Sequence, residues 1–183
     1  MVRLFVAIDL PDDIRDQLRV VQDSVRSSRS RLTLVDRESM HITLKFLGEV
    51  RGSHLTMITE MLQTIEISPF SLEMGLIGTN SNKAPRIVWA EVNDTGQCRS
   101  LAEMIDSALV TLGFEPEKRK FKPHITIARV RQFHESLFEA VAFVASSCSG
   151  TIPVSEFILK KSELTSNGPI YTNILTVPLR VRV

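Results

Sequence analysis

The sequence holds little that would mark a secreted, metal-binding or membrane protein. It has two cysteines, Cys98 and Cys148, in 183 residues, which gives no disulfide framework and no metal-ligand spacing. A reducing compartment is the default. No apolar run approaches the ~20 residues that a bilayer-spanning helix needs. The opening stretch Met1–Ile8 lacks both the apolar length and the small-residue cleavage site of a signal peptide. A cytoplasmic location is expected, with no membrane partner. Charge is nearly balanced, 22 Lys and Arg against 21 Asp and Glu for a net +1, so the broad basic footprint of tight nonspecific nucleic-acid binding is missing. The one local excess is Lys118-Arg119-Lys120 with Lys122. Such a run is most often a solvated loop, and contact with an RNA backbone is the minority reading.

What is present is a repeat. His41-Ile42-Thr43-Leu44 and His124-Ile125-Thr126-Ile127 lie 83 residues apart, and Arg3-Leu4-Phe5-Val6-Ala7 falls on Arg86-Ile87-Val88-Trp89-Ala90 at the same offset. Arg to His is then 38 residues in both halves. An internal duplication is expected, with pseudo-repeats at about 1–80 and 84–165 and a C-terminal strand over 171–183, inside a single bilobal domain spanning 1–183. A hydrophobic content of 43% suffices to bury its core.

The fold class expected is α+β. After a first strand, Pro11 and the acidic Asp12 and Asp13 open a helix over about 11–28, with Ile14, Leu18, Val21 and Val25 on its buried face. A short strand at 32–35 and the first His strand, ended by Gly48, follow. Leu55, Ile58, Met61, Leu62 and Ile65 give a second helix, and 70–76 alternates as a half-buried strand. The polar loop 79–85 is expected to divide the lobes. The second half reads as a strand at 86–92, a helix ended by Gly113, the second His strand at 121–130, a helix around 137–144 and a strand at about 154–160. Alternation in the tail from Tyr171 predicts one more strand, with Pro178 placing it at an edge.

In a strand, His and Thr two residues apart share a face while the residues between them bury behind. A twofold arrangement would bring both pairs to one cleft. Two histidines facing each other there can act as a neutral base and a protonated acid in one turnover, because the imidazole pKa lies near neutrality. Two threonine hydroxyls can donate to two oxygens of a tetrahedral anion, and a phosphate suits that symmetry. A phosphodiester whose leaving oxygen is held in a strained ring, such as a ribose 2′,3′-cyclic phosphate, suits acid/base catalysis with water entering. Arg129 could hold the phosphate with its fork, but strict alternation from His124 puts it on the opposite face unless a bulge or the strand end intervenes. Lys45 is placed on the His41 face, where it could touch phosphate or, as the preferred reading, reach solvent. His54 and His134 read as helix-terminal surface residues, and no ligand set for a metal or other cofactor is expected.

At these residues the sequence resembles the 2H phosphoesterase superfamily, and within it the RNA 2′,3′-cyclic phosphodiesterases, also called 2′-5′ RNA ligase-like proteins. The resemblance runs over nearly the whole chain. It is carried by Arg3-Leu-Phe-Val-Ala7, His41-Ile-Thr-Leu-Lys-Phe-Leu-Gly48, Arg86-Ile-Val-Trp89, Phe121-Lys-Pro-His-Ile-Thr-Ile-Ala-Arg129, and Ser162-Glu-Leu164 with Gly168-Pro-Ile-Tyr171. It implies a bilobal α+β fold with two antiparallel sheets, flanked by helices, around a central cleft, and no metal. It also implies hydrolysis of RNA 2′,3′-cyclic phosphate ends, tRNA fragments included, to 2′-phosphomonoesters, with reversible 2′-5′ ligation as a second activity. His41 would then be the proton donor and His124 the proton acceptor, with Thr43, Thr126 and Arg129 binding substrate. Leu34 departs from the tryptophan that many relatives carry before the first motif, which weakens the expectation of base stacking there. A monomer is expected. Competing readings are a noncatalytic RNA-end-binding module, a related enzyme of small cyclic nucleotides or 2′-5′ oligonucleotides, and, least of all, a metal-dependent phosphodiesterase.

Overall fold

The computed structural model describes residues 1–165 and 168–180. In chain order the elements are β1 (Val2–Asp9), α1 (Asp12–Arg26), β2 (Arg31–Leu34), β3 (His41–Val50), α2 (Leu55–Gln63), β4 (Phe70–Thr79), β5 (Ile87–Asn93), α3 (Gln97–Val110), β6 (His124–Gln132), α4 (Ser136–Phe143), β7 (Thr151–Val154), β8 (Glu156–Thr165) and β9 (Gly168–Pro178). The α+β reading holds. Val181 and Val183, expected in the tail strand, lie outside the described residues, and Pro178 ends the edge strand β9.

All strand pairings are antiparallel, in the order β7-β4-β5-β6-β3-β1-β8-β9, with β2 also on β6. The two halves of this curled sheet, β7-β4-β5-β6 and β3-β1-β8-β9, are joined where Ile42 meets Ile125. Each half mixes strands of the two sequence repeats, β4 joining β5, β6 and β7 in one and β1 and β3 joining β8 in the other. β4 pairs with β5 across the 79–85 loop, so that loop is a hairpin inside one half and not the boundary between lobes. Asn80 fixes it by accepting the backbone N–H groups of Arg86 and Ile87 through its side-chain oxygen, at 2.9 and 3.0 Å. The strand expected at 154–160 is likewise split at Ser155, β7 pairing with β4 and β8 with β1.

Helices cross over in the same way. α1 follows β1 yet packs against α4 and β6, while α3 follows β5 and packs against β3 and α2. The buried face of α1 is the one its periodicity predicts, Ile14, Leu18, Val21 and Val25, with Arg15 and Gln22 added. On α3 the buried residues are Cys98, Leu101, Ala102, Ile105 and Leu109. Both cysteines are free and buried, and desolvation raises both thiols, Cys98 to about 12. Such thiols are inert packing groups. Among the described residues no helix is long and apolar enough to cross a membrane.

Candidate active site

The two motifs meet at the seam of the sheet. β3 and β6 run antiparallel, and Ile42 and Ile125, the residues between each His and its Thr, lie opposite each other. Both are fully buried, while His41, Thr43, His124 and Thr126 are all half-buried on the other face. Antiparallel pairing about this point sets His41 toward Thr126 and Thr43 toward His124. The four side chains thus form a quartet with pseudo-twofold symmetry about one isoleucine pair.

Each motif strand then carries the same irregularity. Opposite β3, the register passes from Ala7↔Thr43 to Val6↔Lys45, leaving Leu44 without a partner; opposite β6 it passes from Trp89↔Thr126 to Val88↔Ala128, leaving Ile127 without one. A bulge of one residue reverses the face of everything beyond it. Arg129 therefore returns to the His124 and Thr126 face, exposed, and its charge acts on both His41 and Tyr171. Lys45 moves the other way: it is buried, forms an ion pair with Asp106 of α3 and donates to the Glu115 carbonyl at 3.0 Å. The expectation that Lys45 shares the His41 face and reaches solvent is overturned by that one-residue shift. Phe46 takes the place equivalent to Arg129 and is 66% exposed. The bulge on β6 is held from α1, where the buried Gln22 side-chain amide donates to the Ile127 carbonyl at 3.0 Å and the Val35 carbonyl at 2.7 Å.

The bulges also correct the repeat. Asp9 lies opposite His41 and Glu91 opposite His124, so Ala7 corresponds to Trp89 and not to Ala90. The ungapped match of Arg3–Ala7 with Arg86–Ala90 is one residue out, a slip that would turn every β5 side chain to the wrong face.

His41 donates from Nδ1 to the Ser39 carbonyl at 2.7 Å, which leaves Nε2 to accept from the Thr43 hydroxyl at 3.0 Å. Phe5 lies 4.9 Å from the imidazole and Tyr171 5.4 Å, edge-on. Burial, with smaller contributions from the Lys160 and Arg129 charges, pushes the His41 pKa down to about 4 against the Ser39 hydrogen bond and the Asp9 carboxylate, which favour the proton. Lys160 is nearly buried and bridges Asp9, at 2.9 Å, and Asn173, at 2.8 Å. His124 repeats the tautomer by donating from Nδ1 to the Lys122 carbonyl at 2.9 Å. Its ring stands 4.9 Å from Trp89, and Lys122 reaches Glu91 at 2.6 Å. Both histidines thus present Nε2 on the quartet face.

Several of these residues were not singled out from the sequence as part of a site. Tyr171 lies beyond the second repeat, and only β8-β9 pairing carries it back to Phe5 and His41. Lys160 falls at the end of the strand expected at about 154–160. His54 and His134 do sit at helix starts, His134 accepting from the Ser136 N–H at 3.2 Å. Among the described residues no group of three or more His, Cys, Asp or Glu is placed to hold a metal ion.

Known proteins share this architecture. The family model described as LigT-like phosphoesterase matches residues 8–89 and 91–171. A protein of Archaeoglobus fulgidus named RNA 2′,3′-cyclic phosphodiesterase is 36% identical over 174 residues, covering 94% of this chain and 98% of that one. One of the same name from Methanothermobacter thermautotrophicus is 34% identical over 178 residues, covering 94% and 96%. The crystal structure of TT0787 from Thermus thermophilus superimposes with a TM-score of 0.79 at 29% identity, covering 99% of this chain and all of that one. That of E. coli LigT in complex with 3′-AMP gives 0.78 at 25% identity, covering 97% and 98%. With both matched stretches spanning most of the sequence, the chain belongs to the LigT-like phosphoesterase family.

Proposed function

We propose that this protein hydrolyses RNA 2′,3′-cyclic phosphate ends to 2′-phosphomonoesters by paired-histidine acid/base catalysis without a metal. The observation that carries the reading is the Ile42–Ile125 pair, which gathers two His/Thr pairs on one face. The names of the Archaeoglobus and Methanothermobacter relatives support the substrate. A single bilobal domain built by duplication accounts for the two matched stretches and for the bulge after each motif.

In this mechanism Thr43, Thr126 and Arg129 hold the nonbridging oxygens. His124 Nε2 takes a proton from water as the water oxygen bonds to phosphorus. The bond from phosphorus to the 3′ oxygen breaks, and His41 Nε2 supplies the proton that makes the 3′-hydroxyl. The 2′-phosphate remains, and exchange with solvent resets both rings. Burial disfavours the proton on His41, and an anionic phosphate beside Nε2 opposes that, since a neighbouring negative charge favours the imidazolium. A 5′-hydroxyl of a second RNA in place of water would give a 2′-5′ linkage by the same transfers.

The test is incubation in excess chelator with an RNA oligonucleotide ending in a 2′,3′-cyclic phosphate. The expected product is the 2′-monoester, with His41→Ala and His124→Ala each slower by on the order of 10² to 10⁴ while circular dichroism stays unchanged. Tight binding without turnover would replace this reading with that of an RNA-end-binding module. Activity lost on chelation and restored by a metal would overturn metal independence.

A further inference from the structure

The segment leading into β6 carries Lys118, Arg119 and Lys120, all exposed and, among the described residues, without an acidic partner. Yet it is tied down at both ends. At its start, the Asp106 carboxylate of α3 accepts the Glu117 N–H at 3.1 Å while paired with Lys45, which also holds the Glu115 carbonyl at 3.0 Å. Lys45 stands two residues past Thr43, on the reverse side of the first motif strand. At its end, Lys122 pairs with Glu91 and its carbonyl takes the His124 Nδ1–H.

A nearly buried ion pair is weak evidence for stability, because desolvation of the two ions offsets their attraction. What this pair does is fix the course of a chain segment. The segment's own acids do not neutralise it: Glu117 is turned back onto the Arg119 N–H at 3.1 Å, and Glu115 contributes its backbone carbonyl to Lys45. Three free cations are thereby held within a short reach of His124. Lys120 and His124 are four residue steps apart, at most about 14 Å of extended chain. In a chain of net charge +1 this local excess is fitted to a polyanion that continues past the quartet.

We infer that the segment 118–120, anchored through Lys45 and Asp106, binds the phosphates of the RNA strand on the 5′ side of the cyclic end and so makes the site prefer a polynucleotide to a mononucleotide. The inference rests on the reaction proposed above. Its contribution is to binding the strand, leaving the terminal phosphate to the quartet.

The experiment compares a nucleoside 2′,3′-cyclic monophosphate with a single-stranded RNA decamer bearing the same end. The variants are a triple substitution, Lys118→Gln with Arg119→Gln and Lys120→Gln, and a paired one, Lys45→Met with Asp106→Leu, which exchanges the ion pair for apolar side chains and leaves net charge alone. In the triple variant KM for the decamer rises about tenfold at moderate salt, its salt slope falls by about 2 for three lost phosphate contacts, and the cyclic mononucleotide is turned over as before. The paired variant weakens decamer binding in the same direction although no surface charge is lost, an effect that a solvated loop would not show. Equal decamer-to-mononucleotide ratios and equal salt slopes in all three proteins would overturn the inference and leave the reaction standing. If neither substrate is turned over, the proposed reaction fails, and fluorescence anisotropy with the labelled decamer decides separately: unchanged affinity in the triple variant overturns the segment's role, and a salt-dependent loss sustains it.

Discussion

The Lys160 ammonium stands 2.9 Å from the Asp9 carboxylate, and Asp9 is the residue that pairing of β1 with β3 places opposite His41. The pair sets two opposed charges beside one imidazole, Asp9 favouring its proton and Lys160 disfavouring it. Asp9→Asn removes the helpful charge and leaves the lysine uncompensated, so the His41 pKa falls further. Lys160→Gln does the reverse and raises it. NMR titration of the imidazole, with the acidic limb of kcat/KM as the functional counterpart, should move in opposite directions in the two variants. Movement in the same direction would show that burial alone governs His41.

The same imidazole makes stability depend on pH. Its pKa is about 4 in the folded protein against an ordinary 6.5, so between those values the unfolded chain binds more protons. The stabilisation from neutral His41 is complete above pH 6.5 and is lost as pH falls toward 4, at up to about 1.4 kcal/mol per pH unit. Urea unfolding at a series of pH values should show the midpoint of the parent protein dropping more steeply across this window than that of His41→Asn. Parallel curves would place the imidazole in a more solvated setting.

Arg129 tests the proposed geometry of phosphate binding. Arg129→Lys keeps the charge and loses the planar fork, and at a bidentate site that exchange is not conservative. About a tenfold loss in kcat/KM on the cyclic-ended RNA is expected for one charge-assisted hydrogen bond, with a larger loss in Arg129→Ala. Equal rates for Arg and Lys would reduce the role of Arg129 to that of a point charge.

Gln22 is the least conspicuous residue on which the site depends. Its side-chain amide holds the carbonyl of Ile127, the extra residue of the β6 bulge, and that bulge turns Arg129 to the quartet face. Gln22→Leu leaves buried carbonyls of Ile127 and Val35 with fewer donors and should cost about 1–3 kcal/mol. KM for the phosphodiester should also rise, as Arg129 loses its fixed direction. A stability loss with unchanged KM would separate the bulge from Gln22.

The motifs were legible because a His-x-Thr pair on a strand has a face by periodicity alone, and its recurrence suggested a shared cleft. Element types followed from apolar spacing, as in α1, whose buried apolar residues are those the spacing named. The misplacements of strand faces share one cause. Lys45 was assigned to the wrong face, and Arg129 could be brought onto the His face only by supposing a bulge, because a single extra residue at Leu44 or Ile127 leaves no mark in an apolar run. The same one-residue ambiguity misaligned the Arg3 and Arg86 strands. The 79–85 loop has the composition of a linker, and hairpins have that composition too.

By itself, then, the sequence marked most of the strands and helices through local periodicity and the two motifs through residue chemistry, and those motifs carried the resemblance to the family. Tertiary structure decided which strands are neighbours, which way the chain faces after each bulge, and that Tyr171, Phe5 and Lys160 enclose His41. Those are nonlocal pairings. They are chosen by how two halves that exchange strands and helices bury their apolar faces together, and no stretch of the sequence holds that choice alone.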